Sequence, residues 1–230
     1  MAEVPVLALD GPGGSGKGTV ASRIAMLRHW RILDSGALYR AFAFSAQKLG
    51  VLPDDLLGIQ RILAETEFDF VVEKTGEVII LVNGNDVTTA LRSPDAGLAA
   101  STYASQQSVR ECLIARQRFE RQAPGLVADG RDMGTVVFPD ATLKVFLTGT
   151  LKIRAQRRYK QLLEKGFSAT LAGVEQEVSA RDQNDRSRAV SPLEPANDAV
   201  ILDTTEIGID QVVKKVDDLL TAKLTQSNNG

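Results

Sequence analysis

Residues 11 to 19 read Gly11-Pro12-Gly13-Gly14-Ser15-Gly16-Lys17-Gly18-Thr19, with four residues between the first glycine and the Gly-Lys pair. That is the spacing of a loop that cradles phosphates. Glycines let successive backbone N–H groups turn toward one point, and a helix starting there adds positive potential. Lys17 is in register to reach the β- and γ-phosphates of a nucleoside triphosphate. The loop departs from the usual pattern in one respect: Gly18 follows the lysine directly, and the hydroxyl comes one position later, on Thr19. Such a loop implies nucleotide binding and nothing finer, because GTPase switches, ATPase motors and small-molecule kinases share it.

The acceptor chemistry must come from other residues, and three clusters rich in arginine and aspartate offer it. The first is Asp34-Ser35-Gly36-Ala37-Leu38-Tyr39-Arg40, and the second is Asp129-Gly130-Arg131-Asp132-Met133-Gly134-Thr135. Each follows an apolar run of strand length. The third, Arg181, Asp185 and Arg188, has spacings of four and three and shares a helix face if the helix persists that far. Singly, each is ambiguous: an arginine on a helix is often solvated or salt-bridged, and Asp185 could simply pair with Arg181 and Arg188. Together they suit an anion, because the arginine fork grips phosphate in two places. A fourth basic group, Arg154, Arg157 and Arg158 at i, i+3 and i+4, reads either as a lid over a nucleotide or as a solvated helix face. No dedicated general base stands out. That fits an acceptor whose oxygen is already ionised at pH 7, whereas a sugar or shikimate hydroxyl calls for a carboxylate.

The elements that must carry these groups alternate between strand and helix. Val4 to Leu9 has a strand's length and ends in Asp10-Gly11, and a helical pattern then runs to about Leu27. A short strand Arg31 to Asp34 precedes a helix from near Gly36 to about Gly50, and another helix is expected from Asp54 to Ala64. Between about Phe68 and Thr89 two strand-like runs, Phe68 to Val72 and Val78 to Val82, turn at Thr75-Gly76 and Asn83-Gly84, which reads as hairpins. Helical pattern resumes from Pro94 to Gln122. Strands Leu126 to Asp129 and Leu143 to Leu147 follow, then helices Leu151 to Lys165 and Leu171 to Asn184, a strand Val200 to Asp203 and a helix Ile209 to Leu224. Alternation of this kind predicts an α/β fold, a parallel sheet with helices on both faces, because parallel strands need helical crossovers. Ligands of such sheets bind beyond the carboxyl ends of the strands, where the clusters above lie. The expected layout is a core of residues 1–62 and 105–225, an antiparallel insert at 63–104, a lid region and acceptor-side helix at 154–188, and a frayed tail at 226–230.

Composition excludes several classes. A net charge of −2 and 5% aromatic residues argue against a general nucleic-acid binder, which needs phosphate-neutralising charge and stacking rings. With 43% hydrophobic residues and no apolar run near eighteen, the 230-residue chain reads as globular, with no membrane partner. Its first residues are acidic and lead straight into a strand, unlike a signal peptide, so a cytoplasmic location is expected. The single cysteine, Cys112, cannot form an intramolecular disulfide or a thiolate metal cluster, and reads as a helix packing residue. The single histidine, His29, sits at a helix end, where a terminal role is expected rather than catalysis. No guanine-reading Asn-Lys-x-Asp appears after any strand, which counts against a GTPase-like switch.

At this point the chain resembles the bacterial cytidylate kinases over nearly its whole length. The resemblance is carried by Gly11 to Thr19, by Leu33-Asp34-Ser35-Gly36 with Tyr39-Arg40, by Asp129 through Pro139, and by Arg181-Asp182 through Arg188-Ala189-Val190. It implies a nucleoside-monophosphate kinase that moves the γ-phosphoryl group of ATP onto CMP or dCMP. UMP or AMP kinase is the alternative within the class. The loop Gly11 to Thr19 and Arg157 would contact ATP, Thr19 and, through water, Asp129 would support Mg²⁺, and no tightly bound prosthetic group is expected. The family pattern further assigns Arg40, Arg131 and Arg188 to the CMP phosphate, Arg181 and Asp185 to the ribose hydroxyls, and Ser101, Arg110 and Asp132 to the cytosine edge. Ser35 would be a further CMP contact, although it could serve only to cap the helix starting at Gly36. Lys17, Arg131, Arg188, Arg154 and Arg158 would be the catalytic groups. The insert matches the family's enlarged CMP-binding subdomain, the stripe Arg154 to Arg158 its short lid, and a monomer is the default.

Overall fold

The computed structural model describes residues 3–164, 166–188 and 190–227. The elements run, in chain order, β1 (Val6–Asp10), α1 (Lys17–Arg28), β2 (Arg31–Asp34), α2 (Ser35–Leu49), α3 (Leu56–Glu65), β3 (Phe68–Val72), β4 (Val78–Val82), β5 (Asn85–Asp86), α4 (Thr88–Leu91), α5 (Pro94–Ala104) and α6 (Gln107–Phe119). They continue with β6 (Leu126–Asp129), a π-helical turn Met133–Val137, β7 (Leu143–Thr148), α7 (Leu151–Glu164), α8 (Leu171–Ser187), β8 (Val200–Asp203) and α9 (Ile209–Ser227). A five-stranded sheet has the order β2-β6-β1-β7-β8, and a small antiparallel sheet the order β3-β4-β5. The expected parallel α/β core with an antiparallel insert is therefore present.

The chain forms two compact units. One comprises Met1–Pro5 and Ser22–Asp129. In it β2 and β6 pair in parallel, with Asp34 opposite Asp129 at their carboxyl ends. Asp34 then caps α2, its Oδ1 accepting from the Ala37 N–H at 2.9 Å. Gly50, with φ of 67°, closes the same helix in the left-handed conformation, which glycine adopts freely because it has no Cβ. The hairpin β3-β4 is in register from Phe68 opposite Val82 to Val72 opposite Val78. Asn83 and Gly84 both take positive φ at the next turn, as an Asn-Gly hairpin turn requires. Phe42 of α2 meets Tyr103 of α5 edge to face at 5.6 Å, so the last helix of the expected 63–104 insert is seated on α2.

The other unit comprises Val6–Ala21 and Gly130–Gly230. β1 is buried along its whole length, as a strand inside a parallel sheet must be, and it pairs with β7 from Leu7 opposite Leu143 to Asp10 opposite Phe146. β8 extends the sheet beyond β7. Helices α7 and α8 form a hairpin with a small apolar core of its own, built on Leu162, Val174 and Val178 with Tyr159 and Phe167 packed against them.

Several sequence expectations need correction. The helical stretch expected from Pro94 to Gln122 is two helices, broken at Ser105, whose hydroxyl donates to the Thr102 carbonyl at 2.7 Å and competes with the backbone ladder. Helix α8 continues past Asn184 to Ser187, so Arg181 and Asp185 do share it, while Arg188 is its C-cap. Gln226 and Ser227 belong to α9 rather than to a frayed tail, and the remaining tail residues, Lys165 and Ala189 lie outside the described residues.

Candidate active site

The phosphate loop takes its shape from three glycines with positive φ: Gly11 at 142°, Gly14 at 74° and Gly16 at 93°. A Cβ on Gly11 would lie 2.0 Å from the Leu147 carbonyl oxygen, so only glycine lets the loop leave β1 against β7. Lys17 is buried and donates from Nζ to the Pro12 carbonyl at 2.9 Å, which folds its ammonium back over the loop. Ser15 is buried, whereas Gly18 and Thr19 are exposed on the first turn of α1.

The basic stripe of α7 braces this loop rather than lying in solvent. Arg154 is only 4% exposed. Its Nε donates to the Gly149 carbonyl at 2.9 Å and its Nη1 to the Gly13 carbonyl at 3.0 Å, while Nη2 pairs with the buried Asp182. Arg157 donates to both Oγ1 and the carbonyl of Thr204, at 2.8 and 2.6 Å, and the Thr204 hydroxyl reaches the Ser15 and Thr148 carbonyls at 3.3 and 2.8 Å. Arg158 is half-buried on the same helix. Beside Arg154 a cleft of about 590 Å³ opens at the base of the α7-α8 hairpin, lined also by Ser179, Asp182 and Arg186.

Two of the arginines expected at the acceptor converge on one carboxylate. Asp185, 2% exposed, accepts from Arg131 Nε at 2.8 Å on Oδ2 and from Arg188 Nη2 on Oδ1. Burial pushes the Asp185 carboxyl up, but the charges of Arg131, Arg188 and Arg181 and the Arg131 hydrogen bond outweigh it and hold it below its ordinary value. Arg131 also faces the phosphate loop: a Cβ placed on Gly13 would lie 3.9 Å from its Nη2. Asp132, next in the chain, is 5% exposed. Arg181 is exposed on α8.

In the other unit, Arg110 of α6 is buried with its guanidinium 5.8 Å from the centre of the Tyr39 ring on α2, and its Nη1 donates to the Ala104 carbonyl at 3.4 Å. Ser101 is exposed on α5 and Arg40 half-buried on α2. Ser35 is buried as the first residue of α2. It is not the cap; Asp34 is, because only the preceding residue has the extended backbone that aims a side-chain oxygen at the free N–H groups.

The sequence reading missed three residues that shape the site: Asp10, Asp182 as the partner of Arg154, and Thr204. Asp10, 5% exposed, closes β1 and accepts from the backbone N–H of Met133 at 2.8 Å and of Gly134 at 2.7 Å. Burial pushes its carboxyl up to about 6 against those two hydrogen bonds, with Asp132 adding to the push and Lys17 opposing it. An acid at a strand end directly before the first loop glycine was the available signal.

Among the described residues no group of three His, Cys, Asp or Glu could hold a metal. Mg²⁺ carried on triphosphate oxygens and water needs only one or two protein groups, and the exposed Thr19 and the strand-end Asp129 are each of a type that suits it. The positive φ of Gly11, Gly14 and Gly16 turns the loop backbone as a phosphate cradle requires.

Comparison with known proteins gives the family. A family model described as "Cytidylate kinase" matches residues 7–222. A protein named "Cytidylate kinase" from Pseudomonas entomophila (strain L48) is 50% identical over 216 residues, 93% of this chain and 94% of its own length. One of the same name from Ralstonia pickettii (strain 12J) is 50% identical over 212 residues, covering 92% and 90%. Among solved structures, one from Thermus thermophilus aligns with a TM-score of 0.44 at 19% identity, over 97% of this chain and 99% of that one; the fold rests on the strand order above instead. With matches of this extent and identity, the chain belongs to the cytidylate kinase family.

Proposed function

We propose that this chain transfers the γ-phosphoryl group of ATP reversibly to CMP and dCMP, giving ADP and the matching diphosphate. The observation that carries the reading is the fork at Asp185: one buried carboxylate aligns Arg131 and Arg188, and Arg131 faces Gly13 of the phosphate loop. A guanidinium beside the phosphate loop, with a second tied to the same carboxylate, suits an anionic acceptor better than a neutral one.

In the proposed step an oxygen of the CMP phosphate attacks the γ-phosphorus, the bond to the β-γ bridging oxygen breaks, and ADP leaves with that electron pair. The attacking oxygen is already ionised, so no base is needed. Lys17 stabilises the charge on the transferring group, Arg131 and Arg188 grip the acceptor phosphate with Arg40 and share the charge that spreads over the equatorial oxygens, and Arg154 and Arg158 assist from α7. Mg²⁺, held by Thr19 and through water by Asp129, would neutralise charge on the β- and γ-phosphates. Arg157 supports the ATP side. Arg181 and Asp185 would meet the ribose hydroxyls, Ser101, Arg110 and Asp132 the cytosine edge, and Ser35 the acceptor. The segment 63–104 would serve as the CMP-binding insert and the α7-α8 hairpin as the lid, in a cytoplasmic monomer with small-molecule partners only.

The test is ADP production with CMP, dCMP, UMP, AMP, GMP and shikimate in parallel. CMP and dCMP are expected to lead; a preference for UMP or AMP would replace the assigned base, and activity with shikimate alone would overturn the acceptor class.

A further inference from the structure

Asp10 is a buried carboxylate with no part in the reaction just described. It stands at the end of β1, directly before Gly11, yet its two oxygens are spent on a segment 123 and 124 positions away, the first N–H groups of the π-helical turn Met133–Val137. Single π-turns are uncommon and are found mostly at functional sites. Asp132, its leading residue, closes the turn through its carbonyl, which accepts from Val136 and Val137, but its side chain makes no capping hydrogen bond to the turn's first N–H groups. The turn is also pressed close: a Cβ on Gly134 would lie 3.1 Å from Cδ of Lys144 and 3.3 Å from Oδ2 of Asp10. Directly before the turn come Arg131 and Asp132.

We propose that Asp10 is the positioning residue of the acceptor site, the carboxylate that caps the 133–137 turn from the phosphate-loop strand and so fixes where Arg131 and Asp132 stand relative to that loop. One strand end then sets both halves of the reaction's geometry: Gly11 onward holds the donor phosphates, and Asp10 holds the loop that meets the acceptor. The carboxylate does not touch either substrate. The proposal rests on the assignment of Arg131 and Asp132 to the acceptor, and it explains why a charge is kept in a place where burial opposes it.

The test is Asp10→Asn in the full chain. The amide keeps the size but offers one acceptor and turns an N–H₂ group toward the second backbone N–H. Hydrogen exchange at Met133 and Gly134 should become at least about tenfold faster, and kcat/KM for CMP should fall about tenfold to a hundredfold, the scale of a misplaced reactant. ATP affinity, measured by equilibrium binding without CMP, should stay within about twofold or tighten, because removing a negative charge near Lys17 cannot weaken phosphate binding electrostatically. Unchanged exchange overturns the capping role. Faster exchange with unchanged kcat/KM for CMP, or an equal loss of ATP affinity, overturns the positioning role. Should the variant fail to fold, Gly134→Ala crowds the same turn against Lys144 and the Asp10 carboxylate while leaving that carboxylate chemically intact. A loss confined to CMP then supports the proposal, and an equal loss on both substrates overturns it. If wild-type protein does not phosphorylate CMP at all, the functional reading fails, while the exchange measurement still decides what Asp10 holds.

Discussion

Both oxygens of Asp185 are engaged by arginines, which gives this residue two separable tasks. Removing one partner of a buried ion pair leaves uncompensated charge and costs ~3–5 kcal/mol, so Asp185→Ala should lower activity with CMP and dCMP alike by loosening Arg131 and Arg188. If the carboxylate also meets the ribose, CMP should lose about tenfold more than dCMP, the worth of one hydrogen bond to a charged group. Steady-state kinetics on both substrates decides this, and equal losses would delete the ribose contact while leaving the arginine fork. Base choice rests on different chemistry. Cytosine offers an amino donor where uracil has an acceptor, so the buried Asp132 should favour CMP. Asp132→Asn is expected to narrow the CMP to UMP ratio, because an amide can turn a donor toward the uracil oxygen. The same fractional loss on both nucleotides would move Asp132 from base reading to support of its neighbour Arg131.

Elements set how much latitude these residues have. The carboxyl end of β1 passes into the phosphate loop through Gly11, whose φ of 142° and approach to the Leu147 carbonyl exclude any side chain. Gly11→Ala should therefore destabilise the protein by more than ~1 kcal/mol, the reverse of the gain an unstrained site would show, and abolish ATP binding in whatever fraction folds. Urea unfolding with a binding titration checks both, and a variant of wild-type stability would show that the loop can leave β7. Helix α7 was legible as a basic stripe but not as a brace. Spacing puts Arg154, Arg157 and Arg158 on one side of a helix, and only the neighbours decide that Arg154 is buried against Gly13 and Asp182 while Arg157 is tied to Thr204. The helix break at Ser105 was hidden for a similar reason, since a serine hydroxyl can continue a helix or end it, and packing selects between them.

Across the whole molecule, Asp10 and Asp185 pull the pH dependence of stability in opposite directions. Asp10 is raised to about 6 in the folded protein, so between its unfolded value and that point the native state binds the extra proton, and stability falls as pH rises through that window. Asp185 is lowered, so its contribution is present above the ordinary carboxylate range and is lost as pH falls below it. The exposed carboxylates Asp86, Asp198 and Asp203, also lowered, add little through solvent-screened bonds. Urea unfolding should thus show Asp10→Asn gaining stability on wild type between pH 4 and 7; a difference independent of pH would mean that Asp10 is not held ionised against burial. No helix among the described residues is long and apolar enough to cross a membrane. The parallel α/β alternation, the hairpin turns, the phosphate loop and the arginine clusters were all legible in the order of residues, because glycine conformation, helical spacing and strand periodicity act over a few neighbours. That Asp185 joins Arg131 to Arg188, that Arg154 is an internal brace, and that Asp10 bonds a turn 123 positions away emerge only in the folded chain. Those are choices of partner, and a carboxylate or guanidinium accepts many partners until folding removes water and leaves one within reach.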